Sequence, residues 1–174
     1  MRRLIPLGFG AFILFSVVVA AADGDWAYWR GAAATGMARG DAPIKWNDTQ
    51  GVRWKATIPG RGFSSPVVWG DRIFLTTAVP ADAAAAKRGL VEHRFLVQCY
   101  DRATGKVLWE QVARTETPHE LAHPTYGSFA SNAPITDGKY IYAFFGSRGL
   151  YAYTMDGQPV WQKDFGQLRM NRSP

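Results

Sequence analysis

Residues 100–109, YDRATGKVLW, return as residues 153–161, YTMDGQPVW, one residue shorter in the turn. At an offset of 52, Gly105 matches Gly157 and Trp109 matches Trp161. Both stretches run from a Tyr through a polar turn into a short apolar run that reaches Trp. Asp101 can accept hydrogen bonds from the backbone ahead of it, and Gly105 can take a positive φ where a side chain would clash. Asp156-Gly157 is a hairpin signal between apolar runs. Each stretch therefore predicts two antiparallel strands joined by a tight turn, and the pair predicts a repeat.

Working outward, residues 64–77, SSPVVWGDRIFLTT, align with residues 132–145, NAPITDGKYIYAFF, at an offset of 68. Pro66 meets Pro134, Gly70 meets Gly138, Ile73 meets Ile141 and Phe74 meets Tyr142. Asp137-Gly138 is a second hairpin signal. One unit is thus expected to hold strands at 66–69, 72–79, 93–100 and 106–113. The next is expected to hold strands at 134–136, 140–145, 150–153 and 159–165. Upstream, VRWK at 52–55 resembles the Trp-bearing strand alone, and Ser173-Pro174 resembles the opening Ser65-Pro66. Outside the first residues, helical periodicity is confined to the Ala run at 81–88 before Gly89, enough for a turn or two.

A single four-stranded sheet cannot bury both faces, so its neighbours must stack on it. Repeated four-stranded units predict an all-β chain, a β-propeller of antiparallel blades. About two blades and a leading strand are present. Trp54, Trp109 and Trp161 recur at corresponding strand ends, where their rings are expected to wedge between blades. Two stretches depart from the repeat, 80–92 within a blade and 114–131 between blades. Long loops on a rigid scaffold are where function usually sits.

Composition agrees. The chain has 174 residues, 47% hydrophobic and 20% charged, which excludes a disordered protein. Aromatic content of 14% beside 18 Gly and 10 Pro suits short strands and tight turns. Cys99 is the single cysteine, which excludes an intramolecular disulfide framework and a four-thiolate zinc site. The formal charge is +6, but basic residues are scattered and no basic run exceeds two. That excludes the concentrated footprint of a nucleic-acid binder.

Residues 1–22 read as a secretory signal peptide. Arg2 and Arg3 form the positive start, residues 4–21 are apolar, and Ala20 and Ala22 form a small-x-small cleavage signal before Asp23. Pro6, Gly8 and Gly10 interrupt the stretch, which favours cleavage over a retained anchor, so no stable membrane span is expected afterwards. Cleavage leaves 18 basic against 14 acidic side chains, formally +4. No lipid-attachment cysteine lies near Ala22. The expected location is the periplasm or the outside, by the general secretory route.

DWAYWRG at 25–31, followed by Gly36, resembles the start of exported bacterial β-propellers built from pyrroloquinoline-quinone-type (PQQ-like) repeats. The two Trp-bearing stretches resemble that family's repeat signature, carried here by Trp54, Asp101, Gly105, Trp109, Asp156, Gly157 and Trp161. The resemblance covers residues 23–174. It implies one of two roles. One is a binding or scaffold module with an envelope protein or glycan partner, as in the lipoprotein that assists outer-membrane β-barrel assembly. The other is a PQQ- and calcium-dependent dehydrogenase of alcohols or sugars, with its active site outside this fragment. In such dehydrogenases the quinone sits at the propeller axis between a tryptophan and a vicinal cysteine pair, with a carboxylate base. No such pair exists here, so no catalytic or cofactor-binding position carries over. The scaffold is the favoured expectation because no redox site is visible in the sequence and fold alone does not fix chemistry.

Other motifs are weaker. His119-Glu120-Leu121-Ala122-His123 matches H-E-x-x-H, whose histidines share a helix face when they bind zinc. Pro118 and Pro124 flank it and deny that helix, so His119, Glu120 and His123 are expected to pin a loop. A nucleophilic triad can be assembled on paper from Ser128, Asp137 and His93 or His119, without a nucleophile elbow to support it. His93, Ser128, Ser131 and Asn132 are the remaining polar candidates. Residues 146–149, GSRG, offer backbone donors and Arg148 to an anion, but a hairpin turn is the simpler expectation. Cys99, between Gln98 and Tyr100 in a strand, is expected to be a buried core residue.

Two blades and a fraction cannot close a ring of four to eight. The expectation is that residues 23–174 form the N-terminal part of a longer propeller whose remaining blades follow residue 174.

Overall fold

The fold is that of a computed structural model, which describes residues 24–38, 40, 43–87, 90–123 and 125–168. The signal and its cleavage point at Ala22 and Asp23 lie outside them, as do residues 169–174. The described residues form two four-stranded antiparallel sheets, each a simple meander. The first holds β1 (Val67–Trp69), β2 (Arg72–Pro80), β3 (His93–Asp101) and β4 (Val107–Glu116). The second holds β5 (Ile135–Thr136), β6 (Tyr140–Phe144), β7 (Leu150–Thr154) and β8 (Pro159–Lys163). Every expected strand of the two units forms, with ends displaced by at most three residues. No α-helix occurs among the described residues. The Ala run supplies a 3-10 turn, Ala85–Lys87, started by Asp82 Oδ1 accepting from the backbone of Ala84 and Ala85. Among the described residues no helix is long and apolar enough to cross a membrane.

Turn chemistry explains the strand ends. Asp101 accepts from the Thr104 amide at 2.7 Å and its hydroxyl at 2.6 Å, and Gly105 follows with φ +71°. Asp137 accepts from the amides of Lys139 and Tyr140 and from the Tyr142 hydroxyl. The two sheets also share one irregularity. Cys99 pairs with Trp109 and Tyr100 with Val107, while Ala152 pairs with Trp161 and Tyr153 with Pro159. Each outer strand thus carries an extra residue, Leu108 or Val160, beside its Trp. Such a bulge re-aims the neighbouring side chain.

The core lies between the sheets. Phe74, Ala78, Phe95, Val97 and Cys99 of the first pack in one cluster with Ile141, Ala143, Phe145, Tyr151 and Tyr153. Alternation decides this: Ile141 and Ala143 are buried while Tyr140, Tyr142 and Phe144 stand half-buried on the opposite face. β3 is buried on both faces, as a strand must be when both sides are covered. Burial drives the Cys99 thiol up to about 12, so it remains an inert core residue. β1 and β5 lie against each other, so these are the inner strands of two stacked blades.

The leading segment differs from expectation. Residues 52–55 carry Trp54 but form no ladder among the described residues. A strand needs a partner edge to satisfy its backbone, and here the segment pairs with none and docks on the first sheet through the Trp54 ring. Pairing occurs elsewhere. Trp26 exchanges backbone bonds with Val68 at 2.7 and 2.9 Å, Thr136 donates to the Ala27 carbonyl at 3.2 Å, and Arg61 pairs with Ala78. The leader therefore lies across the free edge of β1 and reaches β5.

Candidate functional site

The repeat-signature residues build the junction between sheets. Trp109 is the third residue of β4, near its beginning rather than its end. Its ring lies 5.9 Å from Phe74 in its own sheet and 6.3 Å from Tyr153 in the next. Its Nε1 donates to the Met155 carbonyl at 2.9 Å. Gly157, at φ +82°, makes room: a Cβ there would come within 2.7 Å of the indole. Trp54 repeats this on the first sheet, donating to the Arg102 carbonyl at 2.9 Å and lying on Gly105 where a Cβ would collide. Trp69 lies on Gly138 in the same manner. Arg72 closes the junction, donating to the Met155 carbonyl and pairing with Asp156 at 2.7 Å. Trp161 instead is 45% exposed, with Tyr142 of its own sheet 6.0 Å away.

The polar candidates fall into separate places. The HELAH stretch is not helical, and His119, Glu120 and His123 do not converge on a metal geometry; among the described residues no group of three or more His, Cys, Asp or Glu does. His123 pins its loop. Its Nδ1 accepts from the amides of Thr125 and Tyr126 at 3.2 and 3.0 Å, which leaves the proton on Nε2. His93 does the reverse, donating from Nδ1 to the Val91 carbonyl at 2.7 Å while its ring meets Phe129 edge-on. The Ser131 hydroxyl accepts from the Ser128 amide and donates to the Ser128 carbonyl, the Ser128 hydroxyl accepts from the Ala130 amide, and Asp137 is used by its own turn. No hydrogen bond joins His93, His119, Ser128 and Asp137, so the paper triad is not assembled.

Between the loop at 117–131 and the turn Gly146–Arg148 lies a cavity of about 450 Å³. Phe129, Phe144, Phe145 and Leu168 give it apolar walls, while His123 and Tyr126, stacked at 5.1 Å, stand at its rim. Arg148 lines it and is only 6% exposed. Its guanidinium sits over the rings of Phe95 and Phe129 at 5.8 and 5.5 Å. Burial pulls its pKa below the usual arginine range, countered by Glu116 and Glu120. Glu116 lies 3.9 Å from Nε but is held more closely by Arg114, at 2.5 Å. The sequence shows Arg148 as a turn residue; its burial comes from Phe95 and Phe129, which are remote along the chain.

The described residues do not themselves supply the vicinal cysteine pair that the resemblance attaches to the quinone. Cys99 is buried in the inter-sheet core with no second cysteine in the chain, and the inner edge of β1 is bonded by the leader's backbone.

Comparison with known proteins follows the repeat geometry. No curated protein sequence matches the chain. A family model described as outer membrane protein assembly factor BamB (PQQ_2) matches residues 14–172. With nearly the whole chain matched and its two sheets stacked as blades on a Trp–Gly junction, the chain belongs to this PQQ-like repeat family.

Proposed function

We propose that the protein is an exported propeller module that holds a protein partner in the bacterial envelope. Residues 1–22 serve as the export signal, and residues 23–174 act in the periplasm or outside the cell. The leader carries this reading. By pairing with β1 and reaching β5 it seals with backbone the edge where an axial ligand of the blades would enter. The outward loops, above all the stretch at 117–131, are left as the displayed surface. The family description, an outer membrane protein assembly factor, supports an envelope protein as the partner class.

The test places a photo-crosslinking side chain at Tyr126, which is 82% exposed. The expected product, formed in intact cells, contains a protein of the outer-membrane β-barrel assembly apparatus. In parallel, the purified protein is supplied with PQQ and calcium and offered alcohols with a redox dye. Saturable dye reduction, or a Tyr126 probe that crosslinks no such protein, contradicts the reading.

A further inference from the structure

We propose that the cavity between the 117–131 loop and the Gly146–Arg148 turn binds a small monocarboxylate with an apolar body, its carboxylate paired with Arg148. The site does not depend on the scaffold reading.

The first observation is an incompletely satisfied buried cation. Nε and Nη2 of Arg148 are enclosed without a hydrogen-bond partner, and the nearest carboxylate oxygen, on Glu116, stands 3.9 Å from Nε. A buried guanidinium without its hydrogen bonds is costly, so a site that retains one gains from an anion able to accept them. Glu116 meets that need only in part: Arg114 holds its Oε2 at 2.5 Å, while its Oε1 stands 3.9 Å from Arg148 Nε, beyond hydrogen-bond range. The rings of Phe95 and Phe129 hold the guanidinium in place.

The second observation is the shape and lining. A cavity of about 450 Å³ falls within the range of small-molecule sites. Phe129, Phe144 and Leu168 form its walls, which suits a flat apolar body. At the rim, His123 presents Nε2–H, since its Nδ1 is occupied as an acceptor. Charge sets the selectivity. Glu120 lines the same cavity, so a second negative charge on the ligand meets repulsion. A phosphate or dicarboxylate is therefore disfavoured against a monocarboxylate.

The test titrates phenylacetate into isotope-labelled protein and follows amide shifts. Saturable shifts are expected at residues 120–131 and 144–149, with Kd at or below about 1 mM. Benzyl alcohol has the body without the charge, and inorganic phosphate has charge without the body; each is expected to bind at least about tenfold more weakly. Arg148→Met is expected to lose about tenfold or more in affinity. Ala122→Trp fills the cavity from its loop wall and leaves Arg148 intact; it is expected to lose binding equally, and it decides the matter if Arg148→Met fails to fold. No saturation by about 20 mM overturns the proposal, being weaker than any specific site of this size. So does phosphate binding as tightly as phenylacetate, or undiminished binding in Ala122→Trp or a folded Arg148→Met.

Discussion

Trp109 on β4 and Trp161 on β8 occupy matching positions, each beside a bulge and each opposite the strand before it. Their surroundings differ. Trp109 lies between Phe74 and Tyr153, donates to Met155 and rests on Gly157. Trp161 meets Tyr142 and keeps nearly half its surface in solvent. The lesson is that the repeat motif specifies a half-joint. The strand, bulge and indole come from the motif itself, while burial and the indole hydrogen bond come from the glycine turn of the adjoining sheet. Trp54 supports this from the other side: it forms no ladder, yet it docks on Gly105 and bonds Arg102 as Trp109 docks on the second sheet.

Substitutions can break that comparison in graded steps. Trp109→Ala should destabilise the purified protein most, by about 3 kcal/mol in denaturant unfolding, since it removes a large ring packed between two sheets. Gly157→Ala comes next. It forces a side chain onto a positive φ and into the indole, a cost of about 1–3 kcal/mol. Gly138→Ala should behave alike against Trp69. Trp161→Ala should cost less than about 1 kcal/mol, the scale of a largely exposed position. Equal losses for Trp109→Ala and Trp161→Ala would erase the distinction between docked and undocked tryptophans.

The smallest expected effect concerns the turns. Burial raises the Asp137 pKa, but the Tyr140 and Lys139 amides and the Tyr142 hydroxyl outweigh it and hold the carboxyl below its usual value. A carboxyl depressed in the folded state stabilises above its unfolded pKa, and that contribution is lost as pH falls through the folded value. The Asp137 carboxyl should therefore titrate below about 3.9, the ordinary aspartate value. Asp137→Asn should flatten this part of the acid dependence of stability. A carbon-detected NMR titration with an ordinary midpoint would contradict it.

Most of the fold was legible because its information is local. Asp-Gly pairs mark turns, and alternation in residues 140–144 marks the buried face. The repeat locks Trp109 and Trp161 to one register. What was not legible depends on partners elsewhere in the chain. Residues 52–55 look like a strand, but strand formation is decided by an edge to pair with. Which tryptophan is covered depends on the adjoining sheet, not on the motif. The candidate cavity was least legible. His119 and His123 stand out by spacing, while Arg148 shows in the sequence only as a donor in a turn; the structure makes it a buried group. Its burial needs Phe95 from β3 and Phe129 from the 117–131 loop, contacts that no local pattern announces.

The central claim is that the indole of one sheet and the glycine of the next form a single joint. A double-mutant cycle on Trp109→Ala and Gly157→Ala in denaturant unfolding tests it most directly. If the indole is what a Cβ at Gly157 strikes, removing the ring relieves that clash, and the two losses combine to less than their sum by about 1 kcal/mol or more. Losses that add to within about 0.5 kcal/mol would mean that the two residues act independently, and the joint would not exist.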